Sequence, residues 1–560
     1  MITYSKLQIF LKKNTKIEYI LLFVIFLLSI FFRQFMDPNI PYHFDPGKNI
    51  VYARAALQWF PLIPQYNPYF NLGEYYEYQV LFPYTVSFIH KISGASLVLI
   101  SKWLVIVIGA ALCLSVYYLS LEIFNNKTAA LISAFLIATS KIQFLAYMNY
   151  YPQIMAMTIM PLSFVFLIRY FKYGKSRHLA LVAIMSSLII LASYLVGFVY
   201  MMIVFLSAGI QFLKDKKKFA SIMMIPLMTA ALLTFFWLPI VWRYGIAQFA
   251  VTFTNTIFIS TSAFTNEPWT LKDLFTLSGT SVIAIITGII TVFSVRKFKW
   301  DFARMLIAVW LILTFILMES YLIRPILWVD RYFQLFDIAL LIAAGSFFTY
   351  LIEKINNIKK IGFDHKGYIV LILLVYPFFG AMNVDFTFGK WGYPSDMEML
   401  EYMKSLPTDS LVVAPPGLHS SWVSALSGMN VLGGDPSQML GDRYLGDHES
   451  ELIINSPDVN QKMEIIRKYG VNYIYISAHD PAYMVWSPHL DINGVKAFNN
   501  FIYFEITKVI SDSYGYTDLI KVREDLKPKY NIEKINWNVT AAGYLISIIC
   551  FIIIVMRPSK

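Results

Sequence analysis

Long apolar runs, parted by short polar stretches, recur along the whole 560-residue chain. Runs able to cross about 30 Å of hydrocarbon predict helices near residues 18–34, 99–121, 128–147, 152–168, 179–195, 196–212, 220–241, 279–295, 305–318, 333–352, 367–383 and 539–556. The fold class this indicates is an α-helical polytopic membrane protein with about 12 transmembrane helices. Most connections are short. Three are long, at 35–98, 242–278 and 384–538, and long connections in a compact protein commonly carry function. The last has its own pattern. Strand-like runs at 410–414 and 471–477 flank a helix-like run from Gln461 to Tyr469, closed by Gly470, the residue type favoured at a left-handed helix end. That alternation predicts an extracytoplasmic α/β domain over 384–538. The chain thus divides into a transmembrane unit, 1–383, with external loops 35–98 and 242–278, then the α/β domain, then a last helix and cytoplasmic tail, 539–560.

Composition sharpens this. With 57% apolar and 14% charged residues, a soluble chain would lack the polar surface to cover itself, so an ordinary cytoplasmic enzyme is excluded. Aromatic residues, 17% of the chain, suit rings at membrane interfaces. Cys113 and Cys550 lie inside apolar runs, which excludes a disulfide framework and a thiolate metal centre. The net charge of +11 reports topology. If the amino terminus is cytoplasmic, the inside segments hold 23 of the 46 Lys and Arg in 67 residues, the bias that sets orientation. Nucleic acid is not needed to explain the charge. Both termini are expected in the cytoplasm and the protein in the plasma membrane. Residues 1–34 lack a small-residue cleavage site and are expected to remain as an uncleaved first span. Few ionisable residues lie in helix interiors apart from Lys102 and Lys141, towards the ends. A secondary transporter normally shows inverted repeats and midplane charges instead.

Candidate chemistry lies in the long connections. Directly after the first helix stands Tyr42-His43-Phe44-Asp45-Pro46-Gly47-Lys48-Asn49. Asp45 reads either as the first residue of an Asp-Pro-Gly turn or as a functional carboxylate near the bilayer surface. Beside it, His43 is a structural residue or a group titrating near neutrality. Glu74 and Glu77, in Gly73-Glu-Tyr-Tyr-Glu-Tyr78, have the spacing of one helix face, as an interfacial helix or an acceptor-site element. Glu267, in Ser262-Ala-Phe-Thr-Asn-Glu267-Pro268-Trp269, is a solvated loop acid or a site residue. Arg331, next to Asp330 and just before an apolar run, is a snorkelling anchor, a local ion pair or an anion clamp. His419 and the sequon at Asn538-Val-Thr540 complete the set.

In order, these elements resemble the GT-C membrane glycosyltransferases, nearest to the catalytic subunit of oligosaccharyltransferase. The matching residues of the first loop are Phe44, Asp45, Pro46, Asn49, Tyr52 and Arg54; Glu267 matches that family's second-loop Glu, and Arg331 its Arg before a helix. Two departures stand out. The family's sequon-reading Trp-Trp-Asp-Tyr-Gly is replaced by Pro415-Pro416-Gly417-Leu418-His419. Its Asp-Asn-Glu string is replaced by Met148-Asn149-Tyr150-Tyr151-Pro152-Gln153. The resemblance implies a GT-C-like fold and transfer of a sugar or oligosaccharide from a polyprenyl-phosphate-linked donor to a glycan, lipid or protein acceptor. It casts Asp45 as base, Arg331 as the leaving-group phosphate clamp and Glu267 as a second acid. His43, Arg54, Glu74, Glu77, Asn149 and His419 are candidates around donor or acceptor. It also implies Mg2+ or Mn2+ at Asp45 and Glu267, weakened by Asn149 and Gln153, because hard cations favour ionised oxygens. Membrane lipids are the further partners. A catalytically degenerate scaffold of the same fold is the alternative.

Overall fold

The computed structural model describes residues 15–34, 44–64, 66–70, 74–75, 79–140, 142–144, 150–212, 216–258, 301–318, 329–357, 393–415, 418–433, 444–456, 458–477, 502–513, 516–529 and 535–556. The first helix, α1 (Thr15–Arg33), leads to α2 (Phe44–Trp59) and, beyond a short hairpin, to α3 (Leu81–Ser93). A bundle follows: α4 (Leu97–Phe124), α5 (Lys127–Ala138), α6 (Tyr151–Tyr173), α7 (Ser176–Ala192), α8 (Tyr194–Phe212), α9 (Lys216–Leu232), α10 (Thr234–Phe258), α11 (Phe302–Met318) and α12 (Val329–Asn357). Among the described residues five helical stretches are long and apolar enough to cross a membrane: Leu97–Phe124, Tyr151–Tyr173, Tyr194–Phe212, Arg331–Leu351 and Trp537–Met556. The bent pair Phe219–Leu232 and Thr234–Ala247 makes a sixth if counted as one span. The expected spans 279–295 and 367–383 lie outside the described residues.

Four expectations change. The span expected at 128–147 stops at Ala138. Thr139 closes it by turning its Oγ1 onto the Phe135 carbonyl at 3.0 Å, the back-bonding that competes with helix propagation. The span expected at 220–241 is two helices bent by 71°. At that bend the last helix, α17 (Trp537–Met556), supplies the missing partner. Ser547 Oγ accepts the Phe235 N–H at 3.0 Å, and Gly543 lets the Phe235 backbone close in, where a Cβ would stand 3.0 Å from its Cα. The connection expected to begin at 242 is still helical as far as Phe258, with a kink at Gly245. The first helix, expected as a full span, is outside the five. It carries Glu18 and Arg33, both buried against neighbouring helices.

Packing inside the bundle is aromatic and continuous. Trp310 is fully buried against Phe164, whose ring stacks on Tyr200 at 5.2 Å. The Tyr200 hydroxyl meets Ser163 Oγ at 2.7 Å and accepts from Ser186 Oγ at 3.2 Å, which satisfies polar groups that lipid could not. At the end where α1 begins, Glu18 takes the Tyr117 hydroxyl and pairs with Lys127, and Glu122 pairs with Arg169 at 2.9 Å.

At the other end lies the α/β unit, built from α13 (Pro394–Met403), α14 (Leu418–Ser427), α15 (Tyr444–Asn455), α16 (Val459–Tyr469) and a mixed sheet. Its strands are β3 (Leu411–Val413), β4 (Asn430–Leu432), β5 (Tyr473–Ser477), β6 (Phe504–Ser511) and β7 (Tyr516–Val522), in the order β4-β3-β5-β7-β6. The first three run parallel, and β7 is antiparallel to both its neighbours. The expected strands and helix are present, and α16 ends at Gly470 with φ 75°. An added Cβ there would overlap the Lys527 carbonyl, a second reason for glycine besides its backbone freedom. Asp396 ties α13 to the sheet. It accepts from Tyr475 Oη at 2.7 Å and Thr517 Oγ1 at 3.0 Å while closing the α13 capping box.

The connection after α1 is part of this unit. Its hairpin pairs β1 (Tyr66–Asn67) with β2 (Glu74–Tyr75), and Phe70 bridges to Val431 at the β4 edge. The helix expected across Glu74 and Glu77 is therefore absent at Glu74, where the backbone is extended and paired in the Tyr- and Asn-rich hairpin, a composition that favours strand and turn. Glu77 lies outside the described residues.

Candidate functional site

Two helix beginnings come together where the first connection meets the α/β unit. Helices α2 and α14 pack with their amino ends on the same side. Gly47 lies against Trp422, close enough that a Cβ would stand 2.9 Å from the indole. One face further along, the Arg54 guanidinium donates to the carbonyls of Ser424 and Ala425 at 2.9 and 3.0 Å. Those carbonyls end α14, so the cation meets the negative pole of that helix. Burial holds the Arg54 pKa below its ordinary value. Arg54 is thus placed at a structural joint.

The consequence concerns Asp45 and His419. Asp45 is the second residue of α2 and His419 the second of α14, so the parallel packing gathers both first turns, where unpaired N–H groups and helix dipoles favour anions. The turn reading of Asp-Pro-Gly gives way to a helix start with Pro46 inside its first turn, where proline is well tolerated. For Asp45, Glu74 and His419 the backbone alone is described. His43, Asn149 and Glu267 lie outside the described residues.

Arg331 occupies the first turn of α12, and its guanidinium lies over the Tyr150 ring, 4.1 Å from the centroid. Tyr150 immediately precedes α6. A cation stacked on a ring keeps its charge and its fork of donors, with the plane fixed. Tyr151, the next residue, packs edge-on against Phe82 of α3 at 5.5 Å, which links this end of α6 to the first connection. Arg33, at the close of α1, shares the same end of the bundle. It is buried, donates to the Ser29 carbonyl at 3.1 Å and lies 4.8 Å over Phe144, with its Nε packed near Gly109.

A polar network underlies Arg331. Asp337, six residues further along α12, accepts from Ser140 Oγ at 2.8 Å and Gln143 Nε2 at 3.0 Å. Gln143 Nε2 also donates to the Gln334 carbonyl at 3.1 Å, and Gln153 Nε2 to Gln334 Oε1 at 2.6 Å. Gln153, expected as the neutral stand-in for a metal-binding acid, is therefore hydrogen-bonded to another carboxamide. Asp337, an ionisable residue well inside the expected helix 333–352, is absent from the residues expected at the site. Its visible signal is a lone acid within an apolar run. The partners Tyr150, Gln143 and Ser140 carry no such signal, since each contact joins residues about two hundred positions apart or across a helix break.

For the expected divalent metal, the described residues contain no group of three or more His, Cys, Asp or Glu able to hold an ion.

No protein-family model matches the chain, and no curated sequence matches it either. Solved structures do. The archaeal oligosaccharyltransferase AglB from Archaeoglobus fulgidus, in complex with an inhibitory peptide and a dolichol-phosphate, superposes with a TM-score of 0.62 at 13% identity, over 93% of this chain and 75% of that one. ArnT from Cupriavidus metallidurans, bound to undecaprenyl phosphate, gives 0.59 at 10% identity, over 92% and 99%. The mycobacterial arabinofuranosyltransferase AftD gives 0.59 at 12% identity, over 91% of this chain and 40% of its own length. All three are GT-C glycosyltransferases. Their agreement over nine-tenths of the chain, with an apolar helical bundle and an α/β unit joined through its first connection, shows that this multi-pass membrane protein has a distant GT-C-like fold.

Proposed function

We propose that the protein is a glycosyltransferase that moves a sugar or oligosaccharide from a polyprenyl-phosphate-linked donor to an acceptor hydroxyl on the extracytoplasmic face, with both termini in the cytoplasm. The observation that carries the reading is the position of Arg331. It stands at the head of an apolar helix long enough to span a membrane, with its guanidinium over the Tyr150 ring. Two of the structural neighbours hold polyprenyl phosphates, dolichol-phosphate and undecaprenyl phosphate. A lipid anchored between helices presents its phosphate at the helix ends, where a guanidinium is matched to it bidentately.

In the proposed reaction the acceptor oxygen bonds to the anomeric carbon as the bond from that carbon to the phosphate oxygen breaks. Asp45 takes the acceptor proton, and Arg331 balances the charge on the departing lipid phosphate. Glu267 assists in orienting the acceptor. The domain division follows the same logic: 1–383 and the last helix hold the lipid, and 384–538 with the first connection covers the acceptor side.

The test is transfer from polyprenyl-phosphate-linked sugars by the purified protein reconstituted in liposomes. Asp45→Asn and Arg331→Ala should each lower turnover by about a hundredfold or more with folding intact. Activity undiminished in both variants would sink the assignment. Donor binding with no transfer to any acceptor would instead select the degenerate scaffold, which the neutral pairing of Gln153 with Gln334 favours.

A further inference from the structure

The network beneath Arg331 has a property that the proposed reaction does not use. Asp337 is almost fully buried, at 1% exposure, and both of its donors reach the same oxygen, Oδ2. Its other oxygen, Oδ1, has no hydrogen-bond partner. Gln143 Nε2 serves two acceptors, Asp337 Oδ2 and the Gln334 carbonyl. That fixes the orientation of its carboxamide and leaves Oε1 as an acceptor with no donor. Gln153 Oε1 is in the same condition. All three side chains are buried to 2% exposure or less. Helix α5 ends at Ala138 with Thr139 as its cap, and Ser140, directly after it, reaches Asp337, so the negative pole of that helix dipole adds to the field of the carboxylate. No Lys, Arg or His side chain among the described residues pairs with Asp337.

A lone carboxylate inside a membrane bundle is strongly unfavourable unless something neutralises it. Oxygens without donors accept from a donor or coordinate a cation, and the uncompensated carboxylate beside them selects the cation. We propose that Asp337, Gln143 and Gln153 form a binding site for a small monovalent cation of the sodium class, with Asp337 Oδ1 and the two carboxamide oxygens among its ligands. The stoichiometry of charge selects the class. One carboxylate neutralises one positive charge, whereas a divalent ion would leave an uncompensated charge in a low-dielectric interior. Hard oxygen ligands suit such an ion. The site joins the segment after α5, through Ser140 and Gln143, to α6 and α12 below the turn that carries Arg331, and it is distinct from the divalent-metal position expected at Asp45 and Glu267.

Thermal unfolding of the full-length protein in detergent, in sodium chloride against choline chloride at matched ionic strength, tests this without any assay of transfer. Sodium should raise the Tm of the native sequence by at least about 2 °C. Asp337→Asn, which keeps the shape and removes the charge, should lose that increment. Gln143→Met, which removes one ligand oxygen and leaves the carboxylate, should move the midpoint of the sodium response upward by about tenfold. Equal Tm values in the two salts overturn the proposal, as does an increment that survives in Asp337→Asn. A Tm that rises on acidification without any dependence on sodium also overturns it, and assigns a proton to Asp337 in place of the cation. Should Asp337→Asn fail to fold, the wild-type salt series and Gln143→Met decide the matter.

Discussion

At Arg331, charge and geometry make separable contributions. Arg331→Lys keeps the positive charge but loses both the planar fork and the stacking on Tyr150, so turnover with a lipid-linked donor should fall about tenfold or more. Tyr150→Leu keeps the guanidinium and frees its plane, and it should weaken donor affinity more than it changes the maximal rate. Steady-state kinetics of transfer separate the two outcomes. A different residue governs pH dependence. Lys462, in α16, is buried and donates to the Ile454 carbonyl at 3.1 Å, and burial pulls its pKa from 10.5 down to about 7. Between those values the unfolded chain holds a proton that the native state has released, so this residue makes stability rise with pH across that window. Below about pH 7 the full cost of burying the ammonium is present, and above about pH 10.5 it is gone. Lys462→Met should therefore stabilise the α/β unit most at neutral and lower pH and flatten the rise, which is at most about 1.4 kcal/mol per pH unit. Denaturation of the two proteins at about pH 7 and about pH 9.5 measures it. Residue types at the site were visible in the sequence, but their partners were not. Asp45 and Arg54 stand out as charged groups in the first long connection and Arg331 as one just before an apolar run, yet nothing local distinguishes Arg54, which closes α14, from Arg331, which lies over a ring.

At the scale of elements, the bend between α9 and α10 shows how a broken helix is held in an apolar bundle. Its freed backbone groups need partners, and α17 brings Ser547 to the Phe235 N–H and Gly543 to the Phe235 backbone. Gly543→Leu should force α17 off this seam and lower thermal stability by about 2 kcal/mol or more. Ser547→Ala, which leaves the N–H without its acceptor, should cost about 1 to 2 kcal/mol. Loss of Tm in detergent checks both, and an unchanged Tm in Gly543→Leu would show that the helices are not in contact. Hydropathy runs straight through this bend and through the end of α5 at Thr139, because both breaks are made by side chains and neighbours that leave the apolar character intact. The elements of the α/β unit were legible where a local rule closes them, as Gly470 closes α16. Strands β4, β6 and β7 were not, since each is specified by the partner it pairs with.

For the whole molecule, orientation decides every role assigned to the site. Single cysteines placed in 213–218 should resist a membrane-impermeant maleimide applied from outside intact cells, and cysteines in 393–415 should react once the face is open to solvent. The reverse pattern would move the proposed chemistry to the cytoplasm. The sequence by itself determined that the chain is a membrane protein with an inserted α/β unit, because hydrophobic length and basic-residue bias are properties of composition and order. It also supplied the kinds of group a phosphate-linked transfer needs. Only the tertiary structure decided how side chains are partnered: that Arg54 belongs to a joint between α2 and α14, that the first connection bridges to the sheet edge at Phe70 and Val431, and that Asp337 is enclosed with two carboxamides. These are contacts between residues far apart in the chain, made by helices packing across one another, and no periodicity within a single segment encodes its neighbour.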